Sequence, residues 1–157
     1  MRKKIIVDTC VFIHAFDDSS ENYNISHKFL NWTVENQIVI TMPAHAWFEI
    51  LCTLRRLERI DKSFKGRPVQ GKWKYPIELI HIDDRFIAKY GNVDLQYIKA
   101  GDHIFLVIAK LDGYPLITTD VKMRNVAIEE GILVFNPSEF MSEGYKITPD
   151  IKYTGRH

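Results

Sequence analysis

Lys4-Ile5-Ile6-Val7-Asp8-Thr9-Cys10-Val11-Phe12-Ile13 decides the fold: a short β-branched run is halted by an acid, and a fresh apolar stretch follows at once. The run is continuous rather than alternating, as expected of a strand buried on both faces of a parallel sheet. Three more runs read alike: Ile38-Val39-Ile40, Pro115-Leu116-Ile117 and Ile132-Leu133-Val134-Phe135. Between them, Trp47, Ile50, Leu51, Leu54 and Leu57 fall at helical spacing, as do Ile104, Phe105, Ile108 and Leu111. The order strand, helix, strand, helix, then strand, helix, strand predicts an α/β domain with right-handed crossovers. Pro43 fits the first turn of the helix after the second strand, and Asp112-Gly113 and Gly131 fit the stops of later helices. Ile77-Glu78-Leu79-Ile80-His81-Ile82 reads as a further strand at an edge.

The 157 residues carry 21 Lys and Arg against 20 Asp and Glu, and 46% are hydrophobic, which fits one globular domain with its own core. Residues 1–141 form the predicted domain; from Ser142 periodicity fades, so 142–157 reads as a tail or a strap over the surface. Cys10 and Cys52 are too few for a disulfide scaffold, and each sits in an apolar stretch, predicting reduced, buried thiols in a cytoplasmic protein. The basic start Met1-Arg2-Lys3-Lys4 is followed by only three apolar residues before Asp8, and no run is long enough to span a bilayer. Membrane and secreted classes are therefore not expected.

Charge is uneven in one place. Residues 55–74 hold eight basic residues against Glu58 and Asp61, a net +6, within a basic insert spanning 55–76. Arg55, Arg56, Lys65, Arg67, Lys72 and Lys74 are interleaved with Phe64 and Trp73, and Tyr75 follows. Cations pair with phosphates and rings stack on unpaired bases, so this arm suits a single-stranded nucleic acid; a solvated helix end and loop is the plainer alternative.

In an open parallel sheet, ligands bind beyond the carboxyl ends of the strands, so the informative acids lie just past a strand or early in the next helix. Asp8 and Asp120 directly follow strands, Glu49 lies about two turns into the helix that begins near Pro43, and Asp102 opens the apolar helix 103–111. Singly, each has an ordinary role: a cap for Asp102 or Asp120, a turn for Asp8, a solvated helix face for Glu49. Together on one edge they repel unless a cation sits among them, and oxygen donors favour Mg²⁺ or Mn²⁺ over Zn²⁺. His45 and His103 adjoin two of the acids, with packing or capping the simpler role for both.

Other phosphate and acyl chemistries fail on the letters. Haloacid-dehalogenase-like phosphatases need a second Asp two residues after the first, where this chain has Cys10, and the acidic pair and late Lys of receiver domains are not in place. No G-x-x-x-x-G-K-[ST], G-x-G-x-x-G after a strand, or G-x-S-x-G occurs.

Four strings in order are similar to PIN-domain ribonucleases, and among them to the VapC-like toxins of toxin–antitoxin pairs: Ile6-Val7-Asp8-Thr9-Cys10-Val11-Phe12-Ile13; Pro43 through Glu49-Ile50-Leu51 into Arg55-Arg56; Ala100-Gly101-Asp102; and Thr118-Thr119-Asp120 with Pro137-x-Glu139-Phe140. The likeness covers about residues 4 to 140. It implies a single Rossmann-like α/β domain, a central parallel sheet flanked by helices, and metal-dependent endoribonuclease activity yielding a 5′-phosphate and a 3′-hydroxyl. It implies one or two Mg²⁺ or Mn²⁺ ions held by Asp8, Glu49, Asp102 and Asp120, with Thr9 or Thr118 orienting the acids. An antitoxin partner and a homodimer are also implied. Two departures stand out: the stretch after Asp120 offers only Asn125 where some members have a further acid, and the basic insert is long. A catalytically weak RNA-binding module, and a metal-dependent nuclease for structured DNA, are the alternatives.

Overall fold

The computed structural model of the chain describes residues 2–60, 75–96 and 98–151. Five strands, β1 (Lys4–Val7), β2 (Val39–Pro43), β3 (Ile77–Ile80), β4 (Leu116–Ile117) and β5 (Val134–Phe135), form one parallel sheet in the order β3-β2-β1-β4-β5. Helices α1 (Thr9–Phe16) and α2 (Tyr23–Glu35) lead from β1 to β2, and α3 (Ala44–Ile60) follows β2. Then α4 (Asp84–Tyr90) and α5 (Ala100–Asp112) precede β4, and α6 (Val121–Glu129) links β4 to β5. This is the α/β sheet flanked by helices that the apolar runs predict.

The continuous runs owe their character to burial on both faces. Ile5, Ile6 and Val7 are fully buried, as are Ile40 and Met42 of β2 and both residues of β4. At the edge, β3 is only partly covered. The chain winds from β1 to β2 and β3 on one side, then returns to β4 and β5 on the other. The crevice between β1 and β4 is therefore the point where the strand order reverses, the position at which such sheets bind ligands.

Several local expectations shift. Pro43 is the last residue of β2, with α3 starting at Ala44, because its missing N–H is tolerated at a strand end as readily as in a first helical turn. Cys52 is exposed and Cys10 half-buried, so neither is the fully buried thiol expected; the burial stripe of α3 runs through Ala46, Ile50 and Leu54 and leaves Cys52 outside it. The edge strand ends at Ile80, short of His81 and Ile82. Asp83 caps α4 by accepting from the Phe86 N–H, a helix that the sequence pattern did not reveal. Gly113 and Gly131 do stop α5 and α6, both at positive φ (69° and 68°).

After β5, α7 (Pro137–Glu139), a π-helical turn (Phe140–Gly144) and α8 (Tyr145–Ile147) carry the chain back across the sheet's amino end. Phe140 is fully buried against Phe29, Trp32 and Phe135. Ile151 then bridges Arg2 in antiparallel fashion, and Lys3 pairs with Asp150 and lies 4.8 Å over the Tyr145 ring. Gly144 makes this turn possible: a Cβ there would meet Phe140 at 2.6 Å and Phe135 at 3.0 Å, both rings held in the core. Gly144→Ala is expected to cost about 1–3 kcal/mol through overpacking, read as a lower urea midpoint with an unchanged m-value.

Candidate active site

Asp8 follows β1 at the reversal point and stands at the N-cap of α1, yet its side chain caps nothing. Its Oδ2 instead accepts two hydrogen bonds, one from the Cys10 thiol at 2.8 Å and one from the Thr118 hydroxyl at 2.8 Å. Thr118 Oγ1 in turn accepts from the Asp120 N–H at 3.0 Å, and Cys10 Sγ lies 3.1 Å from Thr119 Oγ1. The backbone makes this mesh possible: Asp8 N–H donates to Ile117 C=O and Thr118 N–H to Phe135 C=O, continuing the parallel ladder one residue past the strands. With Oδ2 saturated, Oδ1 is the oxygen that Asp8 keeps for a ligand.

Asp120 is the N-cap of α6, its Oδ1 accepting from the Met123 N–H at 2.8 Å, so the ordinary capping role holds for it. A cap uses one carboxylate oxygen and leaves the other. Asp102 lies in the first turn of α5, which begins two residues earlier than expected, with Lys99 at the cap position. Glu49 is exposed on α3 beside Phe48.

Electrostatics ties these acids together. Burial raises the pKa of Asp8, the bonds from Cys10 and Thr118 oppose that rise, and the charges of Asp102 and Asp120 add to it. Burial also raises Asp102, as does the charge of Asp120; Lys99 offsets this, Glu49 adds to it, and Lys122 offsets it again. Burial and the neighbouring Asp8 carboxylate push the Cys10 thiol up to about 12, so Cys10 stays protonated and serves as a donor.

The donor set is all oxygen, carboxylates with neighbouring hydroxyls, and matches a hard divalent cation. Among the described residues, no three His, Cys, Asp or Glu side chains are grouped to hold a metal ion. The four acids thus share a field without forming a tight cage. Such an edge suits Mg²⁺, which keeps several of its waters and takes one or two carboxylates directly.

Of the other residues singled out in the sequence, Thr9 is buried in the first turn of α1 and bonds no acid among the described residues, whereas Thr118 does. His45 is partly buried, with Nδ1 lacking a partner among the described residues, and His103 is partly buried on α5. Arg55 and Arg56 are exposed on α3. Lys65, Arg67, Lys72, Trp73 and Lys74 lie outside the described residues. Tyr75 does not join the arm as a stacking ring: it is buried, edge-on to Phe12 at 6.3 Å and Phe16 at 6.4 Å.

Several contributors are not signalled by the sequence pattern. Cys10 reads in the sequence as an apolar thiol, although only Thr9 stands between it and Asp8 at a strand-to-helix turn. Lys99 and Lys122, the cations beside Asp102, follow no pattern that distinguishes them from surface lysines. Asn136 and Glu139 form a reciprocal cap on α7, with Glu139 bound bidentately by Arg124 at 2.7 and 2.9 Å; the spacing Asn136-Pro137-Ser138-Glu139 is the readable signal for that cap.

The chain belongs to the PIN domain family, whose model matches residues 5–129. Members of that family are generally nucleases and typically use divalent metal ions. No curated protein sequence matches the chain. Its fold is similar to that in VapBC2 from Rickettsia felis bound to a DNA fragment from its promoter (TM-score 0.55, 14% identity, covering 85% of this chain and 98% of that one). It is similar also to FitAB bound to an IR36 DNA fragment (TM-score 0.54, 18% identity, 85% and 94%) and to FitAcB from Neisseria gonorrhoeae (TM-score 0.50, 18% identity, 85% and 98%).

If a cation binds among the acids of the folded chain alone, mass action stabilises the fold by about 2.7 kcal/mol at a hundredfold excess over Kd, roughly 5–10 °C in Tm for a chain of this size. Thermal unfolding with Mn²⁺ against EDTA should show this rise, and Asp8→Asn should shrink it. An identical Tm in the two conditions would count against the metal.

Proposed function

We propose that this chain is a metal-dependent endoribonuclease that hydrolyses RNA phosphodiester bonds, and that it is the toxin of a toxin–antitoxin pair. The observation that carries the reading is the meeting of Asp8 and Asp120 at the β1–β4 crevice through the shared Thr118 hydroxyl, at 2.8 and 3.0 Å, with the charges of Asp102 and Asp120 adding to the raised pKa of the buried Asp8. Such crowding of like charge is unfavourable by itself and is relieved by a cation.

Asp8, Glu49, Asp102 and Asp120 would hold one or two Mg²⁺ or Mn²⁺ ions. The chemistry a divalent ion supplies when bound is a more acidic water, a grip on the phosphate, and neutralisation of charge on the departing 3′ oxygen. The chain supplies the rest. Thr118 and the protonated Cys10 hold Oδ2 of Asp8, so the carboxylate cannot rotate freely and presents Oδ1. The Met123 N–H fixes Asp120 in the same way. Lys99 and Lys122 temper the negative field that an RNA phosphate must enter.

An antitoxin partner is supported by the solved complexes whose fold this chain shares, which are toxin–antitoxin assemblies. A homodimer is the family's common form and is proposed on that basis alone. Among the described residues no helix is long and apolar enough to cross a membrane; a cytoplasmic location is part of the proposal.

Asp8→Asn, Asp102→Asn and Asp120→Asn keep side-chain shape and lose the charge that a cation needs. Each is expected to lower Mn²⁺-dependent cleavage of single-stranded RNA by about 10²-fold or more, the scale of losing one preorganised electrostatic group. Glu49→Gln should act in the same direction. Near-parental turnover in any two of the Asp variants would sink the assignment, and equal cleavage of single-stranded DNA or DNA flaps would redirect the substrate.

Arg55 and Arg56 are proposed to contact backbone phosphates together with Lys65, Arg67, Lys72 and Lys74, with Trp73 stacking on an unpaired base. Replacing Arg55 and Arg56 by Ala should flatten the log–log salt dependence of RNA binding by about 1.4, at about 0.7 per phosphate contact. Filter binding at several salt concentrations checks this, and an unchanged slope would leave this end of α3 to a protein partner.

A further inference from the structure

A cavity of about 270 Å³ opens beside the acids, between the first turns of α2, the residues after β4 and the turn after β5. Asn22, Ile25, Thr119, Asn136, Pro137 and Ser138 line it. It is continuous with the candidate site through one side chain: Thr119 sits between Thr118 and Asp120, and its hydroxyl lies 3.1 Å from the Cys10 thiol that binds Asp8.

The polar groups on its walls are unspent. Asn22 stands at the N-cap of α2 but makes no side-chain capping bond, and its amide has no hydrogen-bond partner among the described residues. Asn136 uses only Oδ1, which accepts from the Glu139 N–H at 2.9 Å, leaving its NH₂ group available. Ser138 is exposed, and no described residue bonds its hydroxyl. Ile25 and the buried Pro137 supply apolar walls. The wall is also held in place: Glu139 is fastened to the Asn136 N–H and, bidentately, to Arg124.

These features select an occupant. None of the six lining residues is cationic, so the cavity offers no counter-charge to a phosphate. Its volume falls below the ~300–1,000 Å³ of sites for drug-sized ligands, which leaves room for one ring system and not a stacked pair. Amides and a hydroxyl around apolar walls match the hydrogen-bonding edge and the faces of a base turned out of an RNA single strand.

We infer that this cavity takes one unpaired nucleobase adjoining the scissile phosphate, and that Asn22, Asn136 and Ser138 set which base is preferred. The inference deepens the ribonuclease reading and rests on it for the position of the phosphate. The cavity itself can be tested without cleavage. ¹⁵N-labelled protein is titrated with adenosine, guanosine, cytidine or uridine, and separately with ribose, in the absence of divalent metal. Saturable shifts of the Asn22 and Asn136 side-chain amide signals are expected with at least one nucleoside and not with ribose. Ile25→Trp and Ser138→Trp, which fill the cavity from opposite sides, should each abolish those shifts while the remaining spectrum stays that of the folded protein. Shifts absent at millimolar nucleoside, equal with ribose, or undiminished in both Trp variants would overturn the site.

A second arm reads specificity. On random-sequence single-stranded RNA with Mn²⁺, the parent's cut sites should favour particular bases at one adjoining nucleotide, by about tenfold for a well-placed amide pair, and Ser138→Trp should flatten that preference. Preserved preference in the variant would overturn the specificity role. Nucleoside binding without any RNA cleavage would leave the cavity assigned and defeat the ribonuclease reading instead.

Discussion

β1 lies between β2 and β4 in a register that pairs Ile6 with Leu116 and Val7 with Ile117, so the next residue of each strand, Asp8 and Thr118, arrives side by side at the carboxyl edge. The alternation of a strand makes this register strict: a slip of one residue would turn every side chain of β1 to the opposite face. Ile5, Ile6 and Val7 are fully buried, and packing on both faces resists such a slip. The Thr118–Asp8 bond, the Thr118–Asp120 bond and the place of Cys10 over Thr119 all follow from that one alignment. The acid edge is thus a consequence of core packing several ångströms away, with α5 laid across β1, β2 and β4 to bring Asp102 to the same crevice.

Burying Asp8 works against the fold. A carboxylate withdrawn from water costs several kcal/mol unless it is well bonded, and two donors offset only part of that cost here, since its pKa remains raised. A side chain retained only for stability would do better as an apolar group of similar size. The excess negative charge at this point is what the proposed cation site would need, and local disagreement between stability and chemistry is commonest where a site is built. Cys10 shows the same compromise. Its thiol is a weak donor made dependable because burial and Asp8 keep it protonated.

The sheet and the order of its acids were legible because both follow from short-range rules. Continuous β-branched runs marked β1, β2, β4 and β5, and position relative to those runs marked Asp8, Glu49, Asp102 and Asp120. What escaped depends on tertiary neighbours. Tyr75 reads as the last ring of a basic arm, yet Phe12 and Phe16 draw it into the core. Cys52 lies in an apolar stretch, but the phase of α3 turns it outward. Residues 140–147 lack helical periodicity because a π-helical turn breaks the 3.6-residue repeat, while Gly144 lets Phe140 and Phe135 close over it. The cavity at Asn22 and Ser138 joins segments more than a hundred residues apart, and nothing in either segment alone signals the other.

Charge separation along α3 bears on what the substrate must be. Glu49 stands near one end of this helix, while Arg55, Arg56 and Arg59 lie toward the other. At about 1.5 Å per residue, Arg59 is roughly 15 Å along the axis from Glu49. That exceeds the Debye length of about 10 Å at 0.1 M salt, so Arg59 barely acts on Glu49 in solution, while Arg55 and Arg56, at about 9 and 10.5 Å, lie at that limit. Lys99 and Lys122 are the cations close enough to act on Asp102. Arg59, the farthest of the three, is thus placed for a phosphate other than one beside Glu49. A mononucleotide reaches only one of the two regions, whereas a single strand of several nucleotides spans both. For the proposed nuclease, this layout would suit a strand of several nucleotides and would leave recognition of individual bases to uncharged groups such as those lining the adjoining cavity.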